Sequence, residues 1–366
     1  VLVLIDGVRL NDPTASDEYL FNYGLTHNIE KIEILRGPQS AIWGTDAVSA
    51  VINIITKKTS QNQLSADFEY GSFDTKRLGL NSSYSQNDWY LDAGINALDS
   101  AGTNISRQGN EADGFENLAA FVNCGLEIIT NFILGLSINH SDAINEFDST
   151  DFVATGLPFD ADLWTERTQS TAQFKLDHQS TDNRWESGLQ YNWTETDARN
   201  FTFGLGETSS TAAETGEFKV NSTVALGNSG KQSLSLAADH RQVDFLQRGA
   251  ASAFGDPNQI QSYHVTGVAV EYRRQFSDQF NANLSARNDD FNRFEDVNNF
   301  KLAASYKINN NLRLRSSLGT GSKAPSFIER FGFTPDSFVG NPNLEPEESD
   351  AFEFAVVKSW QNTEFE

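Results

Sequence analysis

Residues 78–128 repeat one pattern three times: apolar and polar side chains alternate along stretches of about ten residues. The period is two, so one face of each stretch is apolar and the other is polar or small, as in a β-strand. The apolar positions are Leu78, Leu80 and Tyr84, then Trp89, Leu91 and Ile95, then Leu118, Val122 and Leu126. Strands of globular proteins usually have about 5–6 residues, whereas a tilted strand that crosses a bilayer needs about 9–11. The length therefore favours membrane-spanning strands.

Charged residues on the polar faces of later strands indicate which face is wet. Lys301 and Lys307 alternate with apolar residues along one stretch, and Arg313 and Arg315 do so along the next. Burial of such side chains in a dry core costs several kcal/mol each, and a water-filled lumen removes that cost. We therefore predict that apolar side chains face lipid and polar side chains face a lumen. A soluble sandwich is the less favoured alternative.

The whole chain contains fourteen candidate strands with this alternation. They span 64–73, 76–86, 88–99, 116–128, 131–141, 168–179, 183–196, 214–227, 231–243, 261–275, 279–290, 297–309, 311–321 and 347–360. Short polar turns alternate with long connections at 100–115, 142–167, 197–213, 244–260 and 322–346, which is typical of outer-membrane barrels. The predicted fold is all-β: a transmembrane antiparallel β-barrel with roughly 14 strands present and about 22 when complete.

Composition agrees with this fold and excludes other classes. The 366 residues are 38% hydrophobic and contain no apolar run long enough for a transmembrane helix. A barrel places only every second residue in lipid, so a mean hydropathy of −0.45 is expected for one. The net charge of −23 argues against nucleic-acid binding. Cys124 is the single cysteine, which excludes an intrachain disulfide, and no arrangement of side chains indicates an enzyme.

Two sequence signatures identify a family resemblance. Residues 4–11 read LIDGVRLN, and residues 29–56 read IEKIEILRGPQSAIWGTDAVSAVINIIT. Further along, residues 321–327 read GSKAPSF and residues 340–347 read GNPNLEPE. Together these segments resemble the TonB-dependent outer-membrane receptors, and the resemblance extends over nearly the whole chain.

The resemblance implies a domain organisation and a function. Residues 1–58 would be the C-terminal part of a plug domain inside the lumen, and residues 59–366 the N-terminal and middle part of the transmembrane β-barrel. The chain would be a fragment lacking both ends, from a multi-pass protein of the bacterial outer membrane, surrounded by outer-membrane lipid. It would import a large, scarce nutrient, driven by the TonB–ExbB–ExbD complex acting on a segment that precedes residue 1.

Two arginines in the N-terminal region lie among apolar residues and should need carboxylate partners when buried. Arg9 and Arg36 are these residues, and Glu345 and Glu347 are candidate partners at the start of a barrel strand. The ion pairs would either lock the plug to the wall or take part in the transport motion. We favour the lock.

Within the family, the chain most resembles cobalamin receptors. The match runs without a gap from residue 1 to the RGP motif at residues 36–38. By this likeness, Ala15 and Ser16 would contact the corrinoid from the plug, and Phe147, Asp148 and Ser149 would contact it from a loop above. A ferric siderophore, haem or another metal chelate is the alternative ligand, and a passive porin or an adhesin is a more distant alternative.

The same likeness implies structural calcium sites in the acidic loops. The implied ligands are Asn104, Glu111, Asp113, Asp148 and Asp162. Calcium prefers six to eight oxygen ligands, several of them carboxylates, and these loops provide enough of them. The alternative is that the loops are acidic only because they are solvated. Two roles are considered for Phe201 and Phe203: they could stack on a flat ligand, or they could belong to an aromatic girdle.

Overall fold

The computed structural model describes residues 1–14, 28–58, 62–104, 106, 109, 111–151, 154–227, 230–251, 255–334, 338–360 and 363–365. These residues form two separate main sheets, a small one at the N-terminus and a large one that contains most of the chain. Both helices in the described residues are short, and none is long and apolar enough to cross a membrane.

The small sheet has four strands in the order β2–β1–β4–β3. These are β1 (Leu2–Ile5), β2 (Val8–Arg9), β3 (Ile29–Arg36) and β4 (Ala50–Thr56), with helix α1 (Ser40–Trp43) before β4. Strands β1 and β4 run parallel, and the other pairs are antiparallel. Val3 and Ile5 pack on one face, and Leu2, Leu4 and Val51 pack on the other, so β1 is buried on both faces.

The large sheet is an antiparallel array of fifteen strands. The first thirteen are β5 (Gln63–Tyr70), β6 (Lys76–Gln86), β7 (Trp89–Thr103), β8 (Asp113–Ile129), β9 (Phe132–Thr150), β10 (Pro158–Gln179), β11 (Trp185–Thr202), β12 (Gly206–Leu226), β13 (Gln232–Gly249), β14 (Gln259–Gln275), β15 (Phe280–Phe291), β16 (Val297–Asn309) and β17 (Leu312–Lys323). After β17 come α2 (Phe327–Phe331) and a separate hairpin of β18 (Phe333–Thr334) and β19 (Phe338–Val339). Strands β20 (Glu347–Trp360) and β21 (Thr363–Phe365) complete the array, and β20 pairs with β17. All fourteen predicted strands are present.

The large sheet has the inverted polarity that the sequence predicts. Leu189 is 41% exposed and Leu302 is 49% exposed on the outer face. On the inner face, Asp92 is 2% exposed and Asn192 is 3% exposed. The small sheet lies against this inner face, where Gln169 and Gln173 donate side-chain hydrogen bonds to backbone carbonyls of residues 10 and 6. Polar contacts therefore replace the apolar core that a soluble sandwich would have.

The predicted strand ends agree within a few residues at the short turns and at the 322–346 connection, where β17 ends at Lys323 and β20 begins at Glu347, and several strands extend further than predicted into the other long connections. The segment 142–167, predicted as a loop, mostly belongs to β9 and β10. The segment 197–213, also predicted as a loop, is the paired end of β11 and β12 with a turn at 203–205. Beyond the lipid neither face must be apolar, so the alternation disappears while backbone pairing continues.

The inverted polarity predicts opposite effects at neighbouring positions of β16. Leu302→Arg places a cation in lipid and should destabilise the protein by about 2–4 kcal/mol. Ala303→Arg places the same cation on the inner face, which already carries Lys301, and should cost much less. Denaturant unfolding of the protein in lipid vesicles measures both. Equal costs would contradict the assignment of the two faces.

Candidate functional site

Arg9 is the centre of a buried ion network between the small sheet and the inner face of the large sheet. Its Nη1 donates to the Thr45 carbonyl oxygen at 2.9 Å and to Asp46 Oδ2 at 3.0 Å. Its Nε lies 3.6 Å from Glu217 Oε1 on β12. Burial, followed by the positive charge of Arg241, lowers the pKa of Arg9, and Glu217 and Asp46 oppose that shift. The guanidinium therefore depends on both carboxylates.

Two further ion pairs join the small sheet region to the wall. Asp12 Oδ2 lies 2.7 Å from Arg167 Nη1 on β10, and both side chains are buried. Asp46 Oδ2 lies 3.7 Å from Arg241 Nη1 on β13. We call Arg9, Asp12, Asp46, Arg167, Glu217 and Arg241 the inner-face ion network. Loss of one partner from such a pair leaves a buried charge without compensation, which costs about 3–5 kcal/mol.

The predicted carboxylate partners of Arg9 were wrong. Glu345 accepts a hydrogen bond from the backbone of Glu295, and Glu347 is exposed at the start of β20. Arg36 is exposed at the end of β3. Strand parity assigns Glu217 to the inner face, which is the sequence feature that could have identified it. Parity shows which face a residue lies on. It does not show how far along the barrel axis the residue lies or which residue is opposite it across the lumen, so the pairing of Arg9 with Glu217 could not be predicted.

A second cluster of charges explains one glycine of the N-terminal motif. Arg287 on β15 donates to both carboxylate oxygens of Asp239 at 2.8 Å and lies 2.7 Å from Asp289. Gly44, at the end of α1, has φ +76°, and a Cβ there would lie 2.9 Å from the Arg287 guanidinium. Glycine therefore allows α1 to approach this ion cluster closely.

The ends of the β7–β8 and β9–β10 hairpins bring several predicted calcium ligands together. Carboxylate oxygens of Glu111, Asp148 and Asp160 lie within 4.8 Å of one another. Asn104 donates to Asp160 Oδ1 at 3.4 Å. A hydrogen bond with Asp162 is the main cause that raises the pKa of Glu111 to about 7. Asp160, near the start of β10, was absent from the ligand set that the resemblance implies.

Other oxygens of this cluster lack hydrogen-bond donors. Asn104 Oδ1 and Asp148 Oδ2 are buried atoms without a hydrogen-bond partner. Buried polar atoms normally have a partner, so these two oxygens remain able to accept a donor or to ligate a cation. Asp113, another predicted ligand, pairs with Thr103 in the β7–β8 ladder. It is not one of the three carboxylates that lie together.

The predicted ligand contacts on β9 divide between its two faces. Phe147 and Ser149 share the parity of Ser141 and Ala143, which are buried on the inner face. Asp148 has the opposite parity and belongs to the acidic cluster. Ala15 and Ser16 lie outside the described residues. Phe201 stacks on Trp164, with 5.1 Å between ring centroids, and Phe203 is 73% exposed at the β11–β12 turn.

Comparisons with known proteins agree on one family. A family model described as TonB dependent receptor-like, beta-barrel, matches residues 8–366. The siderophore receptor PirA from Acinetobacter baumannii has a TM-score of 0.81 at 18% identity, over 98% of this chain and 60% of that chain. The copper transporter OprC has a TM-score of 0.80 at 13% identity, over 98% and 61%.

A third solved structure gives the same result. The ferric yersiniabactin uptake receptor FyuA from Yersinia pestis has a TM-score of 0.73 at 13% identity, over 98% of this chain and 61% of that chain. The chain thus spans about three fifths of the length of these structures. At these identities the matches show the fold.

Arg167→Ala tests the inner-face ion network. It leaves Asp12 buried without its cation, and the free energy of local opening of residues 1–14 should fall by about 3–5 kcal/mol. Arg199→Ala on the neighbouring strand is the matched control, since its pair with Glu166 is solvent-exposed and should contribute at most about 1 kcal/mol. Native-state hydrogen exchange measures both. Similar losses in both variants would contradict a buried, structurally important pair.

Proposed function

This chain belongs to the TonB-dependent receptor-like β-barrel family, and we propose that it takes up a large metal chelate across the outer membrane by active transport. The family places the protein in the outer membrane, and it is a family of receptors and transporters, not of enzymes. The sequence resemblance favours cobalamin as the chelate. PirA is a siderophore receptor, FyuA is a ferric yersiniabactin uptake receptor and OprC is a copper transporter, so a ferric siderophore or another metal complex is the alternative.

The arrangement of the small sheet supports a gated pathway over a passive pore. The sheet lies against the polar inner face of the wall, where Arg9, Asp12 and Asp46 form ion pairs with wall residues. We propose that residues 1–58 are part of a plug. Separation of several buried ion pairs at once costs free energy, so the fully opened state is rarely populated at rest. TonB, with ExbB and ExbD, would supply that energy through a segment preceding residue 1.

The acidic cluster at the hairpins supports a structural calcium site. Glu111, Asp148 and Asp160 would provide carboxylate oxygens, and Asn104 Oδ1 would provide an amide oxygen. Calcium accepts such oxygens with water completing six to eight ligands. The two buried oxygens without donors are the observation that fits a cation. A bound cation would hold the β7–β8 connection against the β9–β10 hairpin and so keep Phe147 and Ser149 in place for ligand capture.

Ligand titration of the full-length receptor tests the function. Cyanocobalamin and a panel of ferric siderophores should be compared by calorimetry and by uptake into cells with and without functional TonB. We expect one metal chelate to bind tightly and to enter only when TonB is functional. Uptake that is equal without TonB, or binding of none of the chelates, would contradict the proposal.

Calcium binding is tested at single carboxylates. Asp148→Asn and Asp160→Asn should each weaken calcium binding by about tenfold or more, since each removes a charged ligand. Asp151→Asn is the matched control, because the Asp151 carboxylate already accepts hydrogen bonds from Ala154 and Thr155. Isothermal calorimetry measures the affinities. If the control weakens binding equally, the site is only a diffuse acidic surface.

The pH dependence of this site has a definite sign. With its pKa raised to about 7, Glu111 keeps a proton that the unfolded chain would have released above its usual pKa near 4.5. The stability that the proton supplies is complete below that lower value and is lost as the pH rises through about 7. Without calcium, the hairpins should therefore exchange amide hydrogens faster, after correction for intrinsic rates, above pH 7. Calcium should remove this difference, because it takes the place of the proton.

A further inference from the structure

The 321–327 segment leaves the end of β17 and contacts the small sheet region at two separate places. At the first place, Ser322 N donates to Ser40 Oγ at 3.1 Å, and Asp46 N donates to the Ser322 carbonyl oxygen at 3.0 Å. Gly321 lies so close to the small sheet region that a Cβ atom at this position would be 2.9 Å from Val48 Cα. These contacts connect the wall to the α1 region of the N-terminal motif.

The second place is a backbone hydrogen bond at the start of α2. Phe327 N donates to the Pro13 carbonyl oxygen at 3.0 Å. The first N–H groups of a helix have no partner within the helix, so this donor is available. A capping box fixes the direction of the Phe327 N–H group, because Ser326 and Glu329 exchange hydrogen bonds at the N-terminus of α2. Pro13 immediately follows Asp12, whose carboxylate is paired with Arg167 on strand β10.

Aromatic packing anchors the same segment to the wall. The Phe327 ring stacks on Phe245, with 4.7 Å between centroids and 5° between planes, and lies 5.5 Å from Tyr263. These rings belong to the largest buried apolar cluster on the otherwise polar inner face. On the same segment, Ser322 Oγ accepts a hydrogen bond from Asn299 at 2.9 Å. The segment is therefore attached to the wall, and two of its backbone donors, Ser322 N and Phe327 N, bond to the N-terminal unit.

We propose that Phe327 and Ser322 are positioning residues for ligand capture, which hold the 12–14 loop and the α1 region at a fixed height relative to the wall. In the sequence, residues 12–14 immediately precede Ala15 and Ser16, the two residues that the resemblance predicts to contact the ligand from the N-terminal unit. This inference rests on the proposed transport function. It assigns a role to the GSKAPSF signature, whose segment makes both attachments.

A matched pair of substitutions in the full-length receptor tests the Phe327–Pro13 attachment. Phe327→Ala removes the ring and keeps the N–H. Phe327→Pro removes the ring and replaces the N–H hydrogen by a ring carbon that cannot donate and that pushes the Pro13 carbonyl away. Proline is well tolerated at the first helical position, and Ser326 already has φ −67° and ψ 163°, which suit a residue before proline. The difference between the two variants therefore reports the loss of this attachment, with α2 itself preserved.

Two measurements on this pair decide the proposal. Amide exchange of peptides covering residues 8–14 should be about fivefold faster in Phe327→Pro than in Phe327→Ala, as expected for one lost hydrogen bond. Affinity for the chelate that binds the parent receptor, cyanocobalamin or a ferric siderophore, should fall by a similar factor. Equal exchange in the two variants overturns the attachment. Faster exchange with unchanged affinity overturns the positioning role.

A second variant tests the other attachment without disturbing the aromatic cluster. Ser40→Ala removes the acceptor of the Ser322 N–H, and it should speed exchange in residues 40–48 more than in residues 8–14. Equal acceleration of both regions would overturn the idea of two separate attachments. If none of the chelates binds the parent receptor, the proposed cargo fails, while the exchange comparisons still decide whether the segment holds the N-terminal unit.

Discussion

The inability of lipid to form hydrogen bonds is the constraint on which this structure depends. Every backbone donor and acceptor at membrane depth must pair with a neighbouring strand, so the wall is a continuous antiparallel ladder. Lipid also takes the apolar side chains, which leaves the polar ones for the inner face. Glu217, Arg241 and Arg287 are buried there because the outside is more apolar than the inside.

A polar inner face determines how a second unit can be held against it. The small sheet has its own apolar packing around β1, but it meets the wall through hydrogen bonds and ion pairs. Such contacts depend strongly on geometry, and water can replace each of them once the first has opened. In an apolar interface of the same size, water could not replace the contacts in this way. The interface therefore holds the small sheet in a precise position through contacts that water can replace one by one.

The sequence predicted the features that depend on periodicity and missed those that depend on position around the lumen. Alternation located all fourteen long strands and the direction of side chains such as Leu302 and Lys301. It failed to locate the strand ends beyond the lipid. For example, β10 begins at Pro158, ten residues before the predicted start. Parity identifies Glu217 and Arg167 as inward-facing without showing which residue of the small sheet region each one meets. The acidic cluster was recognised in part, since the ligand set that the resemblance implies includes Glu111 and Asp148 but not Asp160.

The extra length of β9 and β10 has a consequence for the cell surface. A tilted strand crosses the hydrocarbon in about 9–11 residues, whereas β10 has 22. At about 3.3 Å per residue and a tilt near 45°, the remaining half rises roughly 25 Å above the bilayer. The acidic tips are then beyond about two Debye lengths from the headgroups at physiological ionic strength. An arriving molecule would encounter the electrostatic field of the hairpins before that of the surrounding lipid headgroups.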